Sequence, residues 1–253
     1  MYCFCARNLS EMASRSSSPE NDIFSSSIIP EKENKSAATT STNFDGLLPV
    51  PLLLHEDLKN GCGGQLWPAG MRLAKYMLAY HNDLHGKSIL EIGAGGGLVG
   101  LAVACGCKMD AQQKLLVTDQ LPMLSLMRKN IALNHLESKV DACKYDWGEP
   151  VPTEVVKTVS SSSISHPDIV LAADCVYFEP AFPLLLKTLS DIIGPNTTCY
   201  FCFKKRRKAD IRFIRDMMKT FNVTEVEYDE RDADRKSSIF LYKLTSKQAS
   251  TPR

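Results

Sequence analysis

Residues 88–97 read Ser88-Ile89-Leu90-Glu91-Ile92-Gly93-Ala94-Gly95-Gly96-Gly97, and their order decides the fold. The apolar run predicts a buried strand, and a turn of glycines at 93, 95, 96 and 97 follows it at once. Glycine takes positive φ without steric cost and carries no Cβ, so the backbone of such a turn can lie against a ligand. From Leu98 the pattern turns helical, and a helix N-terminus favours nearby negative charge. Strand, glycine turn and helix in that order mark the site of a nucleotide-derived cofactor.

Two cofactors compete for this turn. Gly95-Gly96-Gly97-Leu98-Val99-Gly100 satisfies G-x-G-x-x-G, the pattern that seats a dinucleotide pyrophosphate on a helix N-terminus. Counted from Gly93, where the turn begins, the sixth position is Leu98 instead of glycine. Glu91 also brings a carboxylate toward the mouth of the site. A carboxylate suits the amino group and sulfonium of S-adenosylmethionine and suits a pyrophosphate poorly. S-adenosylmethionine is therefore the expected cofactor, and an NAD-dependent oxidoreductase is the alternative.

Short apolar runs alternate with helical patterns from residue 66 onward. Strands are predicted at 88–92, 114–118, 139–144, 168–173, 198–203, 223–228 and 238–243, and helices at 98–106, 121–134, 180–193 and 208–221. Such alternation predicts βαβ units, hence an α/β, Rossmann-like, mostly parallel sheet of seven strands with helices on both faces. The last two strands are joined by a turn-like charged segment without room for a crossover helix, so they should form an antiparallel C-terminal hairpin. Seven strands with a terminal hairpin resemble the class I S-adenosylmethionine-dependent methyltransferase fold, which is the expected architecture.

The rest of the composition narrows the possibilities. The chain has 253 residues, 44% hydrophobic and 23% charged, enough for one sizeable domain, and its net charge of +1 gives no global pull toward nucleic acid or membrane. Nine cysteines lack the paired C-x-x-C spacing of a zinc site, so no metal is expected and the thiols read as reduced. Residues 1–45 contain Ser16-Ser17-Ser18 and Thr39-Thr40-Ser41-Thr42 with little apolar periodicity, which predicts a disordered tail. The domain is then expected at 46–245, with a surface loop near 158–165 and a disordered C-terminus at 246–253. The start lacks a secretory signal, and a cytoplasmic monomer is expected.

In a doubly wound sheet, ligands bind beyond the carboxyl ends of the strands. The second strand ends at Asp119, placed to accept both ribose hydroxyls or, alternatively, to cap the next helix. After the third come Asp146 and Trp147, which can receive the adenine amino group and cover its face; a buried core tryptophan is the other reading. After the fourth comes Asp174-Cys175-Val176-Tyr177, facing the reactive methyl group.

The chain resembles the seven-stranded protein-lysine methyltransferases of the methyltransferase family 16 type. Leu66-Trp67-Pro68-Ala69-Gly70, the 90–101 segment, Thr118-Asp119, Asp146-Trp147 and the D-x-x-Y motif at 174–177 carry the resemblance. It implies cofactor contact from Trp67, Gly93, Ala94, Gly95, Asp119, Trp147 and Ala173, and a catalytic or aligning role for Asp174 and Tyr177. Cys202-Phe203-Lys204-Lys205-Arg206-Arg207-Lys208-Ala209-Asp210 is similar to the fungal and plant branch that resembles the yeast elongation-factor-1A lysine methyltransferases, which implies a protein partner. With a net charge of +1 and no flanking aromatic ladder, no stable nucleic-acid or membrane partner is expected.

Five consecutive basic residues also fit a solvated loop, a nuclear localisation patch or a docking site for an acidic surface. Asp174 is expected to hold the incoming ammonium and Tyr177 to orient the amine, one helical turn away. Methylation of another acceptor (a protein histidine, an N-terminal amine or a small molecule) and a non-catalytic binding module are the remaining alternatives.

Overall fold

The computed structural model of the chain describes residues 37–57, 64–111, 114–159 and 166–247. The expected tail up to residue 36, most of the expected loop at 158–165 and the last six residues lie outside them.

The tail boundary at 45 is corrected. Strand β1 (Ala38–Thr42) pairs antiparallel with β2 (Leu52–Glu56), Thr40 facing Leu54. The low-complexity run Ala38-Thr39-Thr40-Ser41-Thr42 is also rich in β-branched threonine, which suits a strand once a partner is present. Phe44, Leu48, Leu52 and Leu54 are all at most 3% exposed, so this hairpin belongs to the core. At the other end the final strand continues to Ser246, one residue into the expected C-terminal tail.

Helix α1 (Pro68–Tyr80), unforeseen in the sequence, precedes the main sheet. Then follow β3 (Ile89–Ile92), α2 (Leu98–Gly106), β4 (Leu115–Asp119), α3 (Leu121–Leu133), β5 (Val140–Lys144), α4 (Thr153–Val159), β6 (Ile169–Ala173) and α5 (Phe182–Ile192). The chain closes with β7 (Thr198–Lys204), α6 (Lys208–Thr220), β8 (Phe221–Glu225), α7 (Arg231–Lys236) and β9 (Ile239–Ser246). All seven expected strands form one sheet in the order β5-β4-β3-β6-β7-β9-β8. The first five are parallel, and β9 runs antiparallel to both β7 and β8. Between β8 and β9 lies the short helix α7 in place of a plain turn; six residues are too few to cross the sheet, so the hairpin pairing survives.

Both faces of the sheet are covered, and the strand period of two sorts the residues. Leu115, Val117, Leu171 and Cys202 face one way and pack against Leu73 and Met77 of α1, Val103 of α2 and Met127 of α3. Leu116, Val170, Ala172, Phe201 and Phe203 face the other way, against Leu185 and Leu189 of α5 and Phe213 and Met217 of α6. Emptying any of these aliphatic positions to alanine should cost about 2–5 kcal/mol.

Helix α2 approaches β3 and β4 so closely that a Cβ on Gly100 would lie 2.6 Å from Val117 and 2.8 Å from Leu115. The last glycine of the apparent dinucleotide pattern is thus explained by packing alone.

Candidate active site

The chain winds outward through β3, β4 and β5, then crosses back to place β6 beside β3. This reversal opens a crevice beyond the carboxyl ends of β3 and β6, where ligands of doubly wound sheets bind. Ile92 is level with both Thr118 and Ala172, which brings Gly93, Asp119 and Ala173 to one rim. Asp174 follows on β6, and Asp146 and Trp147 follow β5.

On the β3–β5 side, backbone and glycine build the site. Gly93, Gly95 and Gly97 have φ of +60°, +57° and +87°, a path closed to most side chains. Ala94 N–H donates to the Thr118 carbonyl at 3.0 Å, pinning the turn to β4. Asp119 completes the join: Oδ2 accepts Gly95 N–H at 2.7 Å and Oδ1 accepts Gln120 N–H at 2.6 Å. Burial pushes its carboxyl up, while these two N–H groups pull it back down. It does not cap α3, whose N-cap is Gln120.

The ring of Trp147 forms a wall beside the turn, for a Cβ on Gly93 would sit 2.8 Å from Trp147 Cζ2 and 2.9 Å from Cys175 Sγ. Asp146 stands at the same end with Oδ2 held by Lys144 at 2.6 Å. Lys144 thus competes there with the adenine contact foreseen for Asp146.

The expectation for Glu91 is overturned. Its side chain points under helix α2, away from the mouth of the crevice, and Oε2 accepts Gly100 N–H at 2.7 Å. The residue is 2% exposed, and burial pushes its carboxyl up to about 8 despite the Gly100 and Val99 N–H groups. In a βα unit this tight, a long acidic side chain at the penultimate strand position finds the helix N-terminus before it finds solvent.

On the β6–β7 side, side chains build the site. Asp174 has φ of +50° and a buried carboxylate with three donors. Oδ2 accepts Ala69 N–H of α1 at 3.1 Å; Oδ1 accepts Lys204 N–H at 3.1 Å and Arg206 Nη1 at 3.0 Å. The Arg206 guanidinium lies 5.2 Å from the centre of the Trp67 ring, and Trp67 is the N-cap of α1.

Asp174 and Tyr177 are not joined by a helical turn. Residues 174–178 are irregular, a 3₁₀ turn begins only at Glu179, and Tyr177 is half-buried within the irregular stretch. Nor is the basic run a plain solvated loop, since Asp174 holds Arg206 and Asp210 holds Arg207 at 3.1 Å.

Two residues that the sequence left unmarked bind this frame together. Asn130 of α3 is 0% exposed; its Nδ2 donates to the Gly96 carbonyl at 2.9 Å, and its Oδ1 accepts His55 N–H of β2 at 2.8 Å. Glu56 of β2 accepts Leu66 N–H at 3.1 Å, just ahead of Trp67. An amide at a core-facing helix position beside Met127 and Ile131 was the available signal for Asn130.

Residues 48–220 match the family model described as lysine methyltransferase. Protein-lysine N-methyltransferase EFM6 of Saccharomyces cerevisiae is 36% identical over 225 residues, covering 82% of this chain and 91% of its own. EEF1A lysine methyltransferase 3 of Mus musculus is 31% identical over 183 residues, covering 71% of this chain and 72% of its own. Among solved structures, the Thermus thermophilus 16S rRNA N2 G1207 methyltransferase in complex with AdoMet and guanosine has a TM-score of 0.53 at 13% identity. The alignment covers 83% of this chain and 51% of that one, a likeness of fold.

Proposed function

The chain belongs to the lysine methyltransferase family, and we propose that the lysine it methylates lies on translation elongation factor 1A. It is a protein-lysine methyltransferase that uses S-adenosylmethionine. The observation that carries the choice of substrate is the similarity to relatives in mouse and frog named for lysine methylation of that factor.

The crevice fits the cofactor on its own terms. The φ > 0 turn leaves backbone to lie against a ligand, and the bare Cα of Gly93 admits Trp147 beside it as a flat wall. Each Asp119 oxygen spends one lone pair on a backbone N–H and keeps another for a ribose hydroxyl. In this reading Gly93, Ala94, Gly95, Asp119, Trp147, Ala173 and Trp67 hold the cofactor, while Glu91 supports the turn from beneath. When bound, S-adenosylmethionine supplies a methyl group activated by a sulfonium.

The remaining work falls to the chain's own residues. Trp67 and Trp147 narrow the crevice and exclude water, and Asp174 fixes the segment that carries Tyr177 against α1 and β7. Tyr177 orients the acceptor amine. A lysine must be neutral to attack, although its ordinary pKa is about 10.4. Desolvation in the crevice favours the neutral amine, and its proton leaves to water.

The test is incubation of the protein with radiolabelled S-adenosylmethionine in lysate from cells that lack it. The expected result is one labelled band, identified by mass spectrometry as elongation factor 1A; label confined to any other protein overturns the substrate.

A further inference from the structure

We propose that Arg206 is a positioning residue that keeps the acceptor lysine uncharged by neutralising Asp174. The inference deepens the reading above and rests on its placement of the acceptor amine beside the D-x-x-Y segment.

A buried carboxylate at the methyl-transfer end of the crevice poses a chemical problem. Left alone, it would pair with the incoming ammonium and hold it in the charged form, which cannot attack. The structure meets this with a countercharge. Asp174, with 4% of its side chain exposed, already accepts Arg206 at 3.0 Å along with two backbone N–H groups. The pair is neutral as a unit, so an ammonium entering the crevice gains little from it and has every reason to shed its proton.

Arg206 is itself held in register. Its backbone N–H donates to Asp210 Oδ2 at 2.8 Å, its Nη1 also donates to the Lys204 carbonyl at 3.2 Å, and its guanidinium rests near Trp67. An arginine is always protonated, which makes the neutralisation independent of pH.

The other charged and titratable groups around the pair do not replace it. Cys175 beside Asp174 and Cys202 on β7 are held well above the ordinary thiol range by burial and stay neutral. Glu91 and Asp119 act on Cys175 from the β3–β4 side, and on α1 Arg72 is paired with Asp234. On the basic segment Arg207 is paired with Asp210, Lys205 lies 5.9 Å from the Phe240 ring centre, and Lys204 and Lys208 carry the remaining charges. Half-buried Tyr177 completes the set. Glu91 titrates in the pH range of interest, but equally in every variant compared.

The experiment is single-turnover methylation by the full chain, in excess over the acceptor protein that lysate labelling identifies, from about pH 6.5 to 9.5. Wild type is compared with Arg206→Gln and Arg206→Lys. Arg206→Gln should move the rate's midpoint up by about one pH unit, a loss of about tenfold near neutrality, with the alkaline plateau retained. Arg206→Lys keeps the charge and should keep the wild-type midpoint.

Quenching of Trp67 and Trp147, the chain's two tryptophans, reports S-adenosylhomocysteine binding and should be within about threefold of wild type in all forms. A uniform loss at every pH, or an unmoved profile, overturns the proposal. Arg206→Met, an uncharged unbranched side chain, replaces the glutamine variant should that one melt early. An acceptor other than elongation factor 1A would change the labelled band and leave the shift in midpoint intact, so the two readings fail separately.

Discussion

The two sides of the crevice are made by different means. Beyond β3–β5 the site is mostly backbone: three glycines at positive φ, a carbonyl–amide link from Ala94 to Thr118, and one carboxylate joining turn to strand. Beyond β6–β7 it is a side-chain clasp in which Asp174 gathers α1, β7 and the basic segment from 105, 30 and 32 residues away. The first kind of site is encoded locally and, in the proposed reading, holds the cofactor; the second depends on distant parts arriving together and, in the same reading, serves the acceptor. The contrast predicts that damage to one side spares the other.

The largest separation should come from Asp174→Ala. It strands the Arg206 charge and two N–H groups, which should cost about 3–5 kcal/mol of stability and abolish methyl transfer. S-adenosylhomocysteine affinity, measured by calorimetry on the folded fraction, should stay within a few-fold. Equal loss of cofactor binding would join the two sides into one unit.

A chain begun at Gly46 comes next. It loses β1 and buried Phe44, and should unfold about 3 kcal/mol more easily in a urea titration. Because Asn130 ties β2 to Gly96, the hairpin supports the cofactor side, and cofactor affinity should fall with it.

Gly93→Ala reverses the Asp174 pattern. A Cβ there meets Trp147 and Cys175 under 3 Å at φ of +60°, and such strain costs about 1–3 kcal/mol. Cofactor affinity should drop at least about tenfold, with the melting temperature reduced by a few degrees.

Smallest is the effect of Glu91→Gln, seen in the pH dependence of stability. The folded Glu91 carboxyl stands at about 8, above its ordinary 4.5, so the folded state binds the proton more tightly than the unfolded chain. Its contribution is complete below about pH 4.5 and is lost as pH rises through 8. Relative to wild type, the glutamine variant should therefore gain about 1–3 kcal/mol between acid and mildly alkaline pH. A parallel pair of stability curves would show that Glu91 is ionised in the fold.

Much of the architecture was legible because it is periodic. Buried parallel strands read as apolar runs, and every expected strand of the main sheet formed. The boundaries moved where a neighbour intervened: β8 begins at Phe221, which is buried where α6 ends, two residues before the expected start. Helix α1 was missed because Pro68 and Gly70 near its start resemble a loop, although proline suits the first helical turn. The hairpin at 38–56 was missed because threonine-rich sequence reads as low complexity until its buried partners are known.

At the site, the order strand, glycine turn, helix was sufficient to bring Gly93, Gly95, Asp119 and Trp147 to one rim, since a parallel sheet sends all its strand ends to one edge. Where each carboxylate points was beyond the sequence. Glu91 turned beneath α2, Asp174 turned to Arg206, and Asn130 reached from α3 to the glycine turn, because a buried polar group takes whichever donors or acceptors the packed elements bring within 3 Å. Local pattern dictates the backbone that carries a residue. Only tertiary packing decides which of its neighbours it meets, and so whether a carboxylate is a ligand, a support or half of a neutral pair.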